Sequence, residues 1–518
     1  MFIDSSIWSE SAEFSSDVAI IGAGAAGISL ALELANHNMS VLLIEGGEWD
    51  YSQSSQELYS GNSLGVPLPY GLQGSRLRFM GGSTNCWGGG CGELDEEDFT
   101  KKDWVPLSGW PIEKHELAKY YTRTAKFLSI NEPVSDAGKA PKEFTVLDGM
   151  DFRYLTHTTV VRFKSEFEDQ LSASKNIKVL LGANCAGIRF SRTKKAVSKI
   201  EVLSLDGKRV LVKTKKYVLA CGGIENARLL LNSYEQEIDP CPVNMNTGKY
   251  FSDHPIAPCA SVILEPNASN ISSFDVQAIA KKTRRSDLRI PYFRLPTKIQ
   301  EQEKVLNAVV QFSMQENELT PEMSSLWRLK NYLQGKSTVI TFSDVQKVAT
   351  HPISLFRWYL DNRSNQKRFA MRFQIEQSPN PNSYVALSDE VDDLGLKKTS
   401  LHWHFSPIER RTVDVLCQYV AKQFLLENQG VLKIDLSLRN DKVNLPADLR
   451  GGQHHSGTTR MSDSSRTGVV DRDLKVFGID NLHVLGSSVF PTNGWVNPTF
   501  TIIALAFRLA DYLVREES

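Results

Sequence analysis

The stretch Asp17 to Gly27, Asp-Val-Ala-Ile-Ile-Gly-Ala-Gly-Ala-Ala-Gly, leaves this chain few folds to choose from. An apolar run enters a GxGxxG turn, and residues 28–36 continue with the periodicity of a helix. A second apolar strand, residues 40–44, ends at Glu45, about twenty residues beyond the turn, where a dinucleotide-binding unit places an acid. Gly22 allows the tight turn, Gly24 lets backbone approach a pyrophosphate, and Gly27 lets helix pack on strand. Ala25 and Ala26 then open a helix whose free amides and positive dipole end face the negative charge. Glu45, followed by Gly46, is placed to accept hydrogen bonds from ribose hydroxyls. A lone GxGxxG recurs by chance, but here strand, helix and distal acid all fall in place. The chain holds no second such unit, which disfavours an enzyme using two dinucleotides and leaves the substrate itself as electron donor.

Two further stretches carry chemistry. Residues 71–92 are rich in glycine and contain Arg78-Phe79-Met80-Gly81-Gly82-Ser83-Thr84-Asn85-Cys86-Trp87-Gly88. So many glycines around one tryptophan exclude a long regular helix and suit backbone wrapped against a flat ring. Near the other end, Gly452-Gln453-His454-His455-Ser456-Gly457-Thr458 is followed about forty residues later by Trp495-Val496-Asn497-Pro498-Thr499. The first offers an imidazole before a Gly-Thr turn, and the second a carboxamide before a proline. Between them a strand ends in Gly486-Ser487-Ser488, small residues that admit a ligand closely.

Composition removes several alternatives. The formal charge of −1 is the balance of 59 basic and 60 acidic residues, with no Lys/Arg run long enough to track nucleic acid, so a small-molecule partner is expected. Seven scattered cysteines form neither a disulfide framework nor a zinc pattern, and no metal is expected. Residues 1–16 lack the basic start and apolar segment of a secretory signal. No apolar run approaches the roughly 18 residues a transmembrane helix needs. The compartment expected is reducing and soluble, most simply a cytoplasm.

Along the chain, 518 residues exceed what one core usually supports. Residues 1–250 read as the first part of a dinucleotide-binding domain, with a further strand, turn and helix unit around Ala220 to Leu231. Residues 251–442 change texture. Segments 305–314, 368–377 and 399–405 have strand character suited to an antiparallel sheet, and 320–362 is expected to be helical. This region reads as a cap whose Gln374, Gln377, His402 and His404 are candidates to line a substrate pocket. Residues 443–518 return to the first domain. The fold class expected is α/β: a Rossmann-like nucleotide domain interlocked with an α+β substrate domain on an antiparallel sheet.

The three motifs, in this order, resemble the glucose-methanol-choline (GMC) oxidoreductase family, most closely its pyranose-oxidase-like branch. Smaller matches are Ala220 to Leu231, Phe251-Ser252-Asp253-His254-Pro255 and Glu376 to Pro381. The resemblance implies FAD, held by Gly22, Gly24, Ala25, Ala26, Gly27, Glu45, Gly46, Arg78, Gly81, Gly82, Ser83, Asn85, Cys86, Trp87, Gly88, Ala220, Gly486, Ser487, Ser488, Asn497, Pro498 and Thr499. It also implies a catalytic pair, His454 and Asn497, with His455 the alternative base. An imidazole titrating near neutrality suits removal of a hydroxyl proton; an asparagine can only hydrogen-bond and so orients the substrate oxygen. Relatives with covalent flavin carry a histidine where this chain has Cys86. A histidyl link is therefore excluded and dissociable FAD expected, with a cysteinyl link through Cys86 as the alternative. Gly486 stands where many members have aspartate.

The activity expected is FAD-dependent oxidation of a hydroxyl to a carbonyl on a sugar or glycoside, with O2 or another electron acceptor. The alternatives are a sterol or polyol substrate, a lyase using the flavin as scaffold, and a catalytically silent flavin-binding subunit.

Overall fold

The computed structural model describes residues 1–8, 13–68, 70–131, 134, 147, 149–236, 244–264, 275–314, 321–334, 340–353, 368–434 and 449–517. Two large sheets and one small one organise them.

The first sheet runs in the order Phe2–Asp4, Ile177–Leu181, Val41–Ile44, Glu13–Ile21, Arg209–Leu219, Val197–Leu203, Asn184–Phe190, with Leu482–Val484 alongside Arg209–Leu219. Its nucleotide-turn half is parallel, and an antiparallel meander completes it. Such a half needs cover on both faces, which is why Val18 to Ile21 and Val41 to Ile44 are continuous buried apolar runs rather than alternating ones. The glycine turn leads into helix Ala25–Asn36, and the last helix, Thr499–Glu517, packs against it and against Lys114–Phe127. The Tyr121 ring stacks on Phe500 at 5.5 Å, and Arg123 pairs with both Glu33 and Asp511. Head and tail of the chain are thereby fixed to each other, as the mixed α/β reading expects.

The second sheet is antiparallel: Gly430–Ile434, Pro255–Leu264, Arg368–Ile375, Ala308–Met314, Arg289–Arg294, Asp151–His157, Gly90–Cys91, with Arg450–Gly451 beside Pro255–Leu264. Helix Pro407–Leu426 covers one face. It starts at a Ser406/Glu409 capping box with Pro407 in the first turn, and it buries Val413, Leu416, Cys417, Val420 and Phe424, one stripe at helical spacing. Phe369, Met371 and Phe373 answer it from the sheet.

The structure corrects one strand reading. Lys397–Trp403 does not join the large antiparallel sheet. It pairs with Tyr384–Val391 and, in parallel, with Gly61–Gly65 from the glycine-rich region. Gly61–Gly65 is exposed throughout, so no apolar alternation announces it in the sequence. Helices Pro321–Leu333 and Phe342–Thr350 occupy the stretch expected to be helical; residues 320, 335–339 and 354–362 of that stretch lie outside the described residues, as does Cys241. Among the described residues no helix is long and apolar enough to cross a membrane.

Candidate active site

One cavity runs from the end of the first glycine-turn strand to the start of the last helix. At one end its walls are Gly22, Gly24, Ala25, Ala26, Glu45, Gly46, Arg78 and Ala220; at the other they are Gly82, Ser83, Cys86, Trp87, Gly88, His454, His455, Gly486, Ser487, Asn497, Pro498 and Thr499. Three helices, Ala25–Asn36, Gly222–Glu235 and Thr499–Glu517, begin at this wall, and their unpaired amides and positive dipole ends favour negative groups in the cavity.

The glycines divide into two kinds. At Gly22, φ is +106° and a Cβ would lie 2.6 Å from the Ala220 carbonyl oxygen; at Gly27 it would lie 1.9 Å from the Gly22 oxygen. These two permit backbone to meet backbone. A Cβ at Gly24, Gly88 or Gly222 would meet nothing within 4 Å, and one at Gly486 nothing nearer than 3.8 Å. All four border the cavity, so their bareness keeps open a space that a bound group can fill. An extended dinucleotide fits that cradle, with one end at the glycine turn and the other between the 82–88 loop and the tail.

At the nucleotide end, Glu45 is buried and accepts from the amides of Ala23 (2.8 Å) and Gly47 (2.9 Å), one on each carboxylate oxygen. A carboxylate has about four lone-pair directions, so acceptor capacity remains for ribose hydroxyls. Arg78 donates to Ser55 Oγ and to Asn184 Oδ1, and Gly46 leaves room for it, since a Cβ there would sit 2.3 Å from Nη2.

At the other end, His454 is held at two points. Its backbone amide donates to Asp253 Oδ1 at 2.8 Å, and Gln453 donates to Asp253 Oδ2 at 3.1 Å. Burial raises the Asp253 carboxyl to about 7, against the lowering effect of these backbone donors. The His454 ring places Nδ1 2.8 Å from Nδ1 of His254, which is fully buried. Burial pushes the His454 imidazole well below its ordinary pKa, and neighbouring His254 and His455 push the same way. Its Nε2 makes no hydrogen bond among the described residues. Asn497 donates to the Gly90 carbonyl oxygen at 3.3 Å, which leaves one N–H and the carbonyl oxygen of its amide unused.

His455 sits in a different setting from His454. Its ring is buried against Phe251, burial lowers it to about 3, and its Nε2 has no hydrogen-bond partner, standing 4.0 Å from Asp253. The backbone at His455 is structural. Its carbonyl accepts from Ser487 Oγ, and it lies so close to Gly223 that a Cβ there would be 2.1 Å away.

Several sequence-selected residues frame the cavity without bordering it. Gly27 packs helix on strand. Gly81 (φ +90°) turns the loop, and Asn85 stitches it through the carbonyls of Met80 and Gly82. Ser488 accepts from Asn226. The four cap residues need correction as pocket lining. Gln374 donates to the Trp495 carbonyl, while Gln377 accepts from Asp253 N and Trp403 Nε1 and donates to the His404 carbonyl. His402 stacks on Tyr384 at 4.3 Å in the small sheet, and His404 lies beside Gly65. The first two position the tail and the Asp253–His254 segment; the histidines stand in the third sheet's neighbourhood. Polar residues on strands look alike in sequence whether they face a ligand or a neighbouring backbone.

The sequence reading also passed over Tyr59, Arg76, Asn184 and Glu225, all in the cavity wall, and His254. His254 had one signal: it sits inside the matched motif Asp253-His254-Pro255.

Residues 379–506 match the family described as GMC oxidoreductase, and residues 17–140 match FAD dependent oxidoreductase. The chain is 24% identical over 569 residues to 2-methyl-1,2-propanediol dehydrogenase of Mycolicibacterium austroafricanum, covering 97% of this chain and 96% of that protein. It is 23% identical over 326 residues to the fructose dehydrogenase large subunit of Gluconobacter japonicus, 62% of this chain and 51% of that one. Its fold is similar to the crystal structure of pyridoxine 4-oxidase from Mesorbium loti, with a TM-score of 0.55 and 15% identity over 96% of this chain and 98% of the other.

Proposed function

We propose, for a chain that belongs to the GMC oxidoreductase family and is an FAD-dependent oxidoreductase, that it oxidises a hydroxyl of a sugar, glycoside or related polyol to the carbonyl, with His454 as base and Asn497 orienting the reacting oxygen. The observation that carries this reading is that His454, with Nε2 unused among the described residues, and Asn497, with its amide half used, both line one cavity whose far end is the glycine turn.

FAD supplies the two-electron acceptor to which the hydride of the alcohol carbon passes. The chain's own residues do the rest. His454 takes the hydroxyl proton onto Nε2, and its lowered pKa keeps that nitrogen unprotonated through the neutral range. Asn497 gives its remaining N–H to the oxygen as charge builds there. Asp253 and the turn at Gly457 hold the loop that carries the base. At the nucleotide end Glu45 would hold the ribose hydroxyls, and the amino end of Ala25–Asn36 would hold the pyrophosphate.

A polyhydroxylated substrate is supported by the two relatives named for a diol and for fructose. Dissociable FAD is supported at Cys86: its thiol donates to the Ser83 carbonyl, and burial raises its pKa, which disfavours the thiolate that a cysteinyl link would form from.

The test is an anaerobic panel of sugars, glycosides and polyols. Bleaching of the flavin band by at least one of them, followed by reoxidation with peroxide measured once air is admitted, is the expected outcome. A flavin that stays oxidised with every hydroxyl donor while a candidate is consumed would point to a lyase and overturn the reading. Acid precipitation should leave the flavin in the supernatant.

A further inference from the structure

The hydrogen bonds around His254 determine which nitrogen of His454 carries its proton. His254 is fully buried, and its two ring nitrogens have different partners: Nε2 lies 3.2 Å from the carbonyl oxygen of Asn493, and Nδ1 lies 2.8 Å from Nδ1 of His454. A carbonyl oxygen only accepts, so the proton of a neutral His254 belongs on Nε2. Its Nδ1 is then a bare lone pair. Two bare nitrogens cannot meet at hydrogen-bond distance, so the proton between the rings belongs to His454 Nδ1. A neutral His454 with its proton on Nδ1 has its lone pair on Nε2, the nitrogen that makes no hydrogen bond among the described residues.

We propose that His254 is a positioning residue that locks His454 in the Nδ1–H tautomer, so that its basic nitrogen is always the one offered to the substrate. This rests on His454 being the base, and it names what makes it one. The alternative proton placement needs either lone pairs opposed at the Asn493 carbonyl or a second proton on His254, and burial opposes the resulting positive charge, holding its pKa near 4. The groups around the pair are consistent with a neutral lock. Asp253 spends its carboxyl oxygens on the backbone amides of His254, Gln453 and His454, and His455, whose Nε2 stands 4.0 Å from Asp253, is near enough to oppose a charge on His454. The Asn493 carbonyl is itself fixed, because the Asn493 side chain accepts from the Gln377 amide, Gln377 being locked by Trp403 and His404. The lock therefore runs from Gln377, just past the end of strand Arg368–Ile375, through Asn493 and His254 to His454.

The experiment uses the FAD-loaded enzyme with ¹⁵N-labelled histidine, at neutral pH and without substrate. With 10 histidines in the chain, the His454 signals are assigned by their loss in His454→Gln. The expected result is a protonated Nδ1 and a bare Nε2 on His454. His254→Asn keeps an acceptor where Nδ1 was and should retain that pattern; His254→Leu removes it and should give a tautomer mixture. In stopped flow, His254→Leu should lower the limiting rate of flavin reduction by about 10- to 100-fold, the scale seen when the partner that orients a metal-ligating imidazole is removed, with flavin content and substrate affinity unchanged and His254→Asn within a few-fold of the parent. A protonated Nε2 on His454 in the parent enzyme overturns the proposal, as do equal tautomers and rates in the two variants. Because the tautomer is read without substrate, it tests the lock even if no alcohol in the panel reduces the flavin.

Discussion

The two ends of the cavity are built on opposite plans. The nucleotide end comes largely from one continuous stretch, Asp17 to Gly47, and works mainly through backbone: free helix amides, a glycine turn, and a carboxylate pinned by two amides. The reaction end is assembled from Gly82–Gly90, Asp253–His254, His454 and Asn493–Asn497, and it works through side chains whose proton positions are set by neighbours from other segments. Backbone binding tolerates changes that leave main chain in place, whereas side-chain chemistry fails when one atom is lost. The two ends should therefore break in separable ways.

The largest effect expected is at His454. His454→Ala should slow anaerobic flavin reduction by about 10²- to 10⁴-fold, the usual worth of a general base, while FAD content and thermal stability stay near those of the parent. Loss of the flavin instead would mean that the two ends are not independent. The counterpart is Gly24→Val, whose Cβ meets no protein atom within 4 Å and whose methyl groups would enter the cradle; it should yield a folded protein purified without flavin, seen as loss of the visible band with an unchanged far-ultraviolet spectrum. Asn497→Leu should lower the rate by on the order of 10², in line with loss of one donor to a developing oxyanion, and leave the flavin bound.

Glu45→Gln should weaken FAD by roughly tenfold, since about 1.5 kcal/mol or more goes with a hydrogen bond to a charged group, measured by equilibrium release of flavin fluorescence, with the reduction rate of loaded enzyme unchanged. The smallest effect concerns neither end. His483 is fully buried, neither ring nitrogen is hydrogen-bonded among the described residues, and burial lowers it to about 3. An unfolded histidine takes up its proton near pH 6.5, so this group costs nothing above that pH and lowers stability as pH falls from about 6.5 toward 3. His483→Leu removes the penalty, worth about 2 kcal/mol at pH 5. Its melting temperature should exceed the parent's more at pH 5 than at pH 8, and an equal difference at both would refute the assignment.

The contrast between the ends also explains which residues could be read in advance. Gly22 and Gly27 were legible because each answers a local requirement, a positive φ or a close approach, that glycine alone meets, while Gly24 was legible only from its place in the GxGxxG spacing. His454 and Asn497 were legible from the resemblance to family motifs. Gln374 and Gln377 were misread because an amide on a strand looks the same whether it meets a sugar or a tryptophan carbonyl. Gly61–Gly65 was missed because its strand is defined by its partner, Lys397–Trp403, more than 300 residues away.

By itself, then, the sequence determined the nucleotide half: the period of its strands, the glycines of its turn and the acid at Glu45 are local features, and local sterics decide them. Only the tertiary structure sets the surroundings of the proposed base. Whether His454 offers Nε2 or Nδ1 depends on a proton shared with His254 across 200 residues, and on a carbonyl at Asn493 that accepts from His254's other nitrogen. No pattern along a chain encodes the direction of a hydrogen bond between two imidazoles, because that direction is fixed by what each ring's far nitrogen meets after folding.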